Sequence, residues 1–262
     1  MTNLDPRELS GGLFAEYHPV NNCLPLTGLY IIDRADSTND ILKAMDKESR
    51  TPVALMARQQ TGGRGTRGRI FCSPKGGLYL SILIFPDAPA EKARLVTSYT
   101  AVAVRRAIAR LCGKTVDIKW VNDLYYEGKK LCGILCESAL TPKGKTDYTV
   151  VGIGVNILSE NLPYEIADIA TALDRLTDTP PTPEELCRAI LSEFFKELSA
   201  FDSKGISDEY REASCLVGKK LITPDGEELI CLGIDDERRI TVRHKDGRAV
   251  SHISLDFKII NP

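Results

Sequence analysis

Two apolar runs joined by a glycine- and arginine-rich segment constrain the fold of this chain more than any other feature. The segment spans residues 59–69 and holds four glycines and three arginines. The flanking runs, Val53–Ala57 and Gly77–Phe85, have the length and composition of buried strands. Glycine lets the main chain approach a ligand closely, and arginine offers a charged fork of donors for carboxylate or phosphate oxygens. We predict a mobile loop that joins two core strands and closes over an anionic small molecule; a solvated basic turn is the alternative.

The composition favours a soluble globular protein over a nucleic-acid binder or a membrane protein. With 262 residues, the chain can bury a full core and form one large domain plus a small one. A net charge of -2 gives no overall electrostatic attraction for nucleic acid. No apolar run approaches the length of a membrane span, and the N-terminus lacks the core of a signal peptide. We therefore expect a cytoplasmic protein.

The cysteines and histidines form no pattern typical of a disulfide framework, a zinc site or a catalytic triad. The eight cysteines are scattered, mostly within apolar runs, and none forms a Cys-x-x-Cys pair. Buried free thiols are the better interpretation. The three histidines all lie near the ends of the chain, which argues against a Ser-His-Asp or Cys-His mechanism.

Strand and turn signals divide the chain into three parts. Residues 1–28 contain prolines and a glycine pair without periodicity, and we predict an irregular segment there. Residues 29–217 contain the strand and helix patterns of the large domain. From residue 218, short apolar strands alternate with turns rich in Pro, Asp and Gly, which is typical of a small β-barrel over residues 218–262.

Apolar periodicity predicts two long amphipathic helices and a shorter one. Residues 90–111 carry apolar side chains on one helical face. The second helix, Pro183–Phe201, follows Thr182, with Glu185 three residues after that threonine, the pattern of a capping box. The shorter helix is predicted over Ser207–Ala213.

A polar cluster, Ser37-Thr38-Asn39, precedes a further helical pattern. Ser37 or Thr38 is a good N-cap for that helix, which is a purely structural role. In the functional alternative, the hydroxyls and the amide lie at a helix N-terminus and bind a neutral polar headgroup. From these residues alone the structural role is favoured.

Strand alternation predicts a patch of sheet that lacks side chains. Gly152, Gly154 and Asn156 point to one face of a strand, and Gly133 lies in the preceding strand. Such a face leaves a trough for a flat ligand, with Asn156 at its end. Close packing of a helix on the sheet also selects glycine, so both explanations stay open at this point.

A hairpin turn is predicted at Glu127-Gly128, between two strand patterns. Lys130 lies at the start of the second strand, just before apolar residues. It is either a cation that binds a ligand or a snorkelling lysine at a sheet edge, which is common.

Five motifs, in their order and spacing, resemble those of biotin protein ligases. The match runs from about Leu29 to Asn156. It implies an α+β fold, with a mixed, largely antiparallel sheet flanked by helices that is similar to class II aminoacyl-tRNA synthetases. The catalytic domain would span residues 29–217, followed by a C-terminal SH3-like β-barrel. The motifs are Ser37-Thr38-Asn39, Gln60-Thr61-Gly62-Gly63-Arg64-Gly65, Lys119-Trp120-x-Asn122-Asp123, Lys129-Lys130-Leu131-x-Gly133-Ile134-Leu135-x-Glu137 and Gly152-x-Gly154-Val155-Asn156.

The resemblance implies a ligase reaction in two steps. Biotin is activated with ATP to biotinyl-5′-AMP, pyrophosphate is released, and a lysine of a carrier protein then takes the biotin. Because two anions meet in the first step, the catalyst is mainly positive charge held in place. Mg²⁺ would accompany ATP through its phosphates, so no dedicated metal motif is expected.

Individual residues receive roles by the same resemblance. Arg64 and Lys130 are the candidate catalytic residues, which contact the biotin carboxylate and the α-phosphate. The candidates for ATP and adenylate binding are Arg67, Arg69, Phe71, Trp120, Asn122 and Asn156. The candidates for biotin binding are Ser37, Thr38, Asn39, Gln60, Gly63, Arg64, Gly65, Thr66, Lys130, Gly133, Leu135, Gly152 and Gly154.

Two residues depart from the family pattern. Thr66 stands where the loop of the family often has a basic residue or a glycine, and Phe71 stands where many bacterial members have a tryptophan. Thr66 can contact a ligand only through its backbone or hydroxyl, so looser retention of the adenylate is expected. Phe71 can still pack against adenine, with a smaller surface.

The partner implied is a biotin carboxyl carrier protein domain of a biotin-dependent carboxylase. Bifunctional members of the family bind DNA through an N-terminal winged helix, and the segment before the first strand leaves no room for one, so we expect no nucleic-acid partner. Dimerisation through the sheet is common in the family, and a homodimer stays open.

Three alternatives come from other classes. A lipoate–protein ligase has a related fold, but the Lys119-Trp120-x-Asn122-Asp123 motif and the Gly-Arg-Gly loop favour biotin. The intact Arg64 and Lys130 argue against a non-catalytic biotin-binding regulator. The negative net charge argues against a nucleic-acid binder that uses the arginine-rich loop.

Overall fold

A computed structural model describes residues 16–18, 26, 28–45 and 47–260. Within these residues the chain forms an eight-stranded sheet, a five-stranded sheet and five α-helices. The helices are α1 (Thr38–Ala44), α2 (Ala90–Ala93), α3 (Leu95–Cys112), α4 (Pro183–Lys196) and α5 (Lys204–Glu212).

The first sheet is mixed and largely antiparallel, as predicted. Its strand order is β1-β2-β3-β4-β8-β7-β6-β5, and only β2 and β3 pair in parallel. The tight turn between β6 and β7 consists of Glu127 and Gly128, both with positive φ, which confirms the predicted hairpin. The strands are β1 (Glu16–His18), β2 (Leu29–Ile32), β3 (Val53–Ala57), β4 (Leu78–Ile84), β5 (Asp117–Lys119), β6 (Asp123–Tyr126), β7 (Lys129–Leu140) and β8 (Thr146–Val155).

Three local predictions need correction. Most of residues 1–28 lie outside the described residues, but Glu16–His18 is a strand because it pairs with the free edge of β2. The helix predicted over 90–111 is two helices, α2 and α3, which meet at Arg94. The helix predicted to reach Phe201 ends at Lys196, since Glu197 leaves the helical region at φ -131.

Helix starts follow the capping residues. The capping box of Thr182 and Glu185 is present at α4, and Ser37 caps α1 by accepting a hydrogen bond from Asp40 N. Helix α5 begins at Lys204 instead of Ser207, because Ser203 accepts a hydrogen bond from Ile206 N and caps the helix earlier.

The first sheet is covered on both faces, which explains its apolar strands. Alternate residues, such as Leu80 and Ile82, belong to the main core with α3 and α4. The intervening residues, such as Leu55 and Leu83, form a smaller cluster with Leu42 of α1. Gly152 and Gly154 have the same parity in β8 as Val150, so they lie on the α1 side.

The C-terminal residues form the second sheet, in the order β12-β11-β10-β9-β13, with antiparallel pairs throughout. Trp120 connects the two sheets: its ring stacks on Phe257 at 6.3 Å between centroids, and its Nε1 donates to Arg238 O at 2.7 Å. The boundary at residue 218 and the SH3-like barrel shape stay predictions. The strands are β9 (Lys220–Ile222), β10 (Glu228–Ile234), β11 (Ile240–Arg243), β12 (Ala249–His252) and β13 (Lys258–Ile259).

The described cysteines are free thiols, and Cys132, Cys187 and Cys231 are fully buried, as predicted. The others are half-buried, and Cys23 lies outside the described residues. Over the part of the chain that the structure describes, none of the helices combines the length and the apolar character that crossing a membrane requires.

Candidate active site

A cavity lies on the α1 side of the first sheet, where the glycine- and arginine-rich loop between β3 and β4 folds over β7 and β8. The loop reaches this place because β3 and β4 are adjacent and β4 also pairs with β8. Most of the predicted site residues line the cavity: Ser37, Thr38, Asn39, Gln60, Arg64, Gly65, Thr66, Arg69, Phe71, Asn122, Lys130, Gly133, Leu135, Gly152 and Gly154.

One end of the cavity, which we call the polar end, consists of neutral side chains that bond to one another. Thr38 Oγ1 and the Thr38 N–H both donate to Gln60 Oε1, at 3.0 and 2.9 Å. Gln60 Nε2 donates to Ser73 Oγ at 3.1 Å, which ties the start of the loop to its end. Asn39 Nδ2 donates to Glu137 Oε2 at 2.8 Å. The N-terminus of α1 therefore both caps a helix and contributes to the site.

Ser81 of β4 fixes the two α1 side chains of the polar end. Its hydroxyl oxygen lies 2.6 Å from both Thr38 Oγ1 and Asn39 Oδ1. A hydroxyl carries one proton, so Ser81 can donate to only one of these acceptors at a time. A ligand that donates a hydrogen bond to the other acceptor would therefore complete the network.

The floor of the cavity consists of Gly133, Gly152 and Gly154, each of which lies against a packed side chain, and the trough for a flat ligand stays a prediction. A Cβ at Gly152 would clash with the Asn39 side chain, which is close packing of α1 on the sheet. A Cβ at Gly154 would clash with the Phe71 ring, and one at Gly133 would lie 2.9 Å from Phe71 Cε2. Glycine is thus required where a flat group, here the Phe71 ring, rests on the sheet.

Two cations of the cavity lining, Arg64 and Lys130, each face a carboxylate, and we call this pair the charged end. Arg64 Nη2 lies 2.5 Å from Asp40 Oδ1 and 3.4 Å from Glu137 Oε1. Lys130 Nζ lies 2.8 Å from Asp123 Oδ1 and 5.7 Å from the centroid of the Phe71 ring. Both cations line the cavity and are half-exposed, so their charge is available to an anionic ligand.

Two lysines beside the cavity show opposite electrostatic surroundings. Burial acts to lower the pKa of Lys43, but hydrogen bonds to Asp40 and Glu137 outweigh it, and the pKa is raised above its usual value. Burial lowers the pKa of Lys119; Asp123 and Cys215 oppose this, and the more weakly coupled Lys130 and Arg69 act in the same direction as burial. Burial therefore dominates the pKa of Lys119.

Four predicted site residues lie outside the cavity lining. Gly63 packs tightly within the loop region, where a Cβ would be 2.5 Å from Phe71 O. Arg67 and Trp120 line a neighbouring cleft next to the second sheet. Asn156 is buried, and its Nδ2 donates to Thr171 O at 2.9 Å. The predicted roles of these residues in the site stay predictions.

Asp123 lines the cavity although it was not among the predicted site residues. Ile70, Leu80, Ile134 and Ile153 also contribute to the lining. The signal for Asp123 was present, since it ends the Lys119-Trp120-x-Asn122-Asp123 motif, but its pairing with Lys130 depends on the register of β6 and β7. The aliphatic residues belong to ordinary strand patterns and carry no signal of their own.

The donor set of the cavity does not form a metal cage. Within the described residues, no cluster of three or more His, Cys, Asp or Glu side chains could hold a metal ion. Asp123 is the one carboxylate among the described lining residues, and it faces Lys130. This arrangement fits a magnesium ion that is bound mainly by phosphate oxygens and water.

The sequence model of the biotin/lipoate A/B protein ligase family matches residues 31–156. Among curated proteins, a bifunctional ligase/repressor of Bacillus spizizenii is 38% identical over 124 residues, which are 46% of this chain and 38% of that protein. The chain thus covers less than half of the length of this relative. A biotin–[acetyl-CoA-carboxylase] ligase of Paracoccus denitrificans is 28% identical over 84% of this chain and 96% of its own length.

A solved structure supports the same relationship. The biotin protein ligase of Aquifex aeolicus, in complex with biotin and ATP, is similar with a TM-score of 0.74 and 26% sequence identity. The similarity covers 89% of this chain and 99% of that protein. It extends beyond residues 31–156, and therefore includes parts of the fold that the family model does not match.

Proposed function

We propose that the chain is a biotin–protein ligase, since the sequence model of the biotin/lipoate A/B protein ligase family matches residues 31–156. It joins biotin to ATP to give biotinyl-5′-AMP and then transfers the biotin to a lysine of a biotin carboxyl carrier protein domain. The observation that carries the proposal is the cavity, in which a polar end, a glycine floor and two cations meet.

The polar end suits the neutral ureido group of biotin. Gln60, Thr38 and Asn39 have fixed orientations because they bond to one another and to Ser81. A urea group offers two N–H donors and one carbonyl acceptor, which can complete the network at Ser81. The ring system then lies over Gly152, and the valeryl chain extends over Gly154 once the Phe71 ring has moved aside.

The charged end brings two anions together in the first step. A carboxylate oxygen of biotin attacks the α-phosphorus of ATP, the bond to the β-phosphate oxygen breaks, and pyrophosphate leaves. Arg64 and Lys130 reduce the repulsion between the reactants and stabilise the charge that develops on the phosphate. Asp40, Glu137 and Asp123 hold these cations in place until the substrate oxygens replace them.

In the second step the ε-amine of the carrier lysine attacks the acyl carbon of biotinyl-5′-AMP, and AMP leaves. Lys130 and Arg64 would hold the phosphate of the leaving AMP. Magnesium, bound with ATP through its phosphate oxygens and water, would reduce the negative charge that these residues face.

Calorimetry with biotin, in the presence and absence of ATP and magnesium, tests the proposal. Biotin is expected to bind alone, and ATP should convert it into a product that is held far more tightly. Lys130→Ala should slow the conversion about 10²–10³-fold and keep most of the affinity for biotin. Lys129→Ala is the matched control, since Lys129 does not line the cavity and donates to Ala167 O at 2.9 Å.

Each outcome has a distinct meaning. If lipoate binds and biotin does not, the chemistry stands but the substrate is wrong. If biotin binds without conversion by the wild-type protein, a binding regulator replaces the ligase. If neither acid binds, the ligase function itself is wrong.

A further inference from the structure

The tip of the active-site loop is tethered to the segment that joins β12 and β13. Arg67 forms an ion pair with Asp256 and donates to Ser254 Oγ at 2.6 Å. Arg69 Nη2 lies 3.5 Å from the other carboxylate oxygen of Asp256. Over the described part of the chain, every hydrogen bond and ion pair that leads from residues 66–69 to another element ends on Ser254 or Asp256.

The backbone of the tip needs such a tether to keep one conformation. Arg67 has φ 60 and ψ 34, a left-handed conformation that is uncommon for a residue with a side chain. Gly65 and Gly68 flank it, and glycine loses more conformational entropy than other residues when it is fixed. The contacts with Asp256 and Ser254 offset these costs before any ligand binds, which reduces the cost of ordering the loop on binding.

The tether places the two arginines at a cleft that adjoins the cavity. Arg67, Arg69 and Lys119 line this cleft together with Asp256 and Phe257. It is continuous with the cavity, since Thr66, Arg69, Asn122 and Asp123 line both. One carboxylate, Asp256, faces two guanidinium groups, so the pair of arginines keeps a positive charge for a polyanion.

We propose that Asp256 is a positioning residue, which holds Arg67 and Arg69 where they bind the phosphates of ATP. The segment between β12 and β13 thereby contributes to the affinity of the enzyme for the nucleotide. This inference rests on the proposed ligase function and deepens it. It assigns a role to a residue that lies a hundred positions beyond the segment matched by the family model, residues 31–156.

Steady-state kinetics of biotinyl-5′-AMP formation test the proposal with three variants. Asp256→Asn removes the charge, Asp256→Glu keeps it, and Asp246→Asn is the matched control. Asp246 forms an ion pair of 2.6 Å with Arg248 in the turn between β11 and β12. Asp256→Asn should raise the KM for ATP about three- to tenfold, since partly exposed ion pairs are individually weak. The kcat should change less than about twofold, because the reacting groups at Arg64 and Lys130 are untouched.

The two other variants and the affinity for biotin show whether Asp256 positions the arginines or has a general structural role. Asp256→Glu should recover part of the affinity for ATP, and Asp246→Asn should match the wild type. The affinity for biotin without ATP should be the same in all variants. A loss of biotin binding together with the rise in the KM for ATP would assign Asp256 a structural role and overturn the proposal.

Limited digestion with trypsin reports on the tether without any catalysis. Trypsin cleaves after arginine, and cleavage at Arg67 and Arg69 should be faster in Asp256→Asn than in the wild type and in Asp246→Asn. If cleavage is faster but the KM for ATP is unchanged in an active enzyme, the inference is wrong and the ligase function stands. If the wild-type protein forms no biotinyl-5′-AMP, the ligase function is wrong and the inference falls with it.

Discussion

The polar end and the charged end of the cavity are built in different ways. At the polar end, Thr38, Asn39 and Ser81 are at most 5% exposed and bond to one another. At the charged end, the side chains of Arg64 and Lys130 are 40% and 32% exposed and form ion pairs with carboxylates. Buried neutral networks are costly to disrupt, whereas half-exposed ion pairs exchange partners easily.

This difference matches the two tasks of the site. A rigid network selects a neutral group by shape and by the positions of its hydrogen-bond partners. Cations that already face a carboxylate are positioned in advance and can transfer their interaction to a substrate anion. Substitutions at the polar end should therefore affect stability and binding, and substitutions at the charged end should affect the rate.

Arg64→Ala should have the largest effect, because it removes one of the two cations of the charged end. The rate of biotinyl-5′-AMP formation at saturating substrates should fall about 10²–10³-fold. The free energy of unfolding should change by less than about 1 kcal/mol, since the ion pairs are half-exposed. Single-turnover kinetics and urea unfolding measure the two quantities.

Arg248→Ala is the control for Arg64→Ala, since it removes an arginine that faces Asp246 in the second sheet. It should leave the rate unchanged. The proposed distinction between the two ends is wrong if Arg64→Ala markedly lowers the free energy of unfolding and barely changes the rate.

Asn39→Ala should have an effect of intermediate size, and this effect should be on stability and biotin binding, not on the rate. It removes the donor to Glu137 Oε2 and one of the two acceptors of the buried Ser81 hydroxyl. The protein should lose about 0.5–1.5 kcal/mol of stability, and biotin should bind correspondingly more weakly. The rate at saturating biotin should change much less than in Arg64→Ala, which the same kinetics can measure.

Asn39→Asp separates loss of a hydrogen bond from repulsion. The substitution keeps the shape of the side chain but places a second carboxylate beside Glu137. Like charges destabilise the pair when both are ionised, so stability should recover as the pH falls and one carboxylate binds a proton. A stability that does not depend on pH would show that the two side chains move apart.

Local patterns in the sequence predicted a large part of the fold and of the cavity. The loop of residues 59–69, the capping box at Thr182 and the glycine face of β8 all depend on neighbouring residues, and the structure contains each of them. These features are readable because strand parity, caps and turns act over a few residues. The polar cluster at Ser37 was the exception, since its capping role hid the contacts of Thr38 and Asn39.

Contacts between residues that are far apart in the chain could not be predicted from local sequence patterns. Trp120 turns towards Arg238 and Phe257 because its large ring is buried between the two sheets. Asn156 is bound to Thr171 by the segment after β8, which crosses back over the strand end. The contact of Arg67 with Asp256 joins residues far apart in the chain, and no periodicity connects them.

The smallest predicted effects concern the pH dependence of stability at Lys43 and Lys119, two lysines beside the cavity. Lys43 has a raised pKa, so its contribution to stability is fully present below about pH 10.5 and is lost as the pH rises through its raised value. Lys119 has a lowered pKa, so its charged form is a cost in the folded state. That cost is relieved as the pH rises through the lowered value towards 10.5, because the unfolded chain then binds more protons.

Lys43→Met and Lys119→Met should therefore respond to pH in opposite directions. Relative to Lys43→Met, the wild type should lose stability as the pH rises above about 10.5, and relative to Lys119→Met it should gain stability as the pH rises towards 10.5. Each difference should stay below about 1 kcal/mol, since both lysines are only partly buried. Urea unfolding across this pH range measures both, and the same sign for both would mean that burial does not dominate the pKa of Lys119.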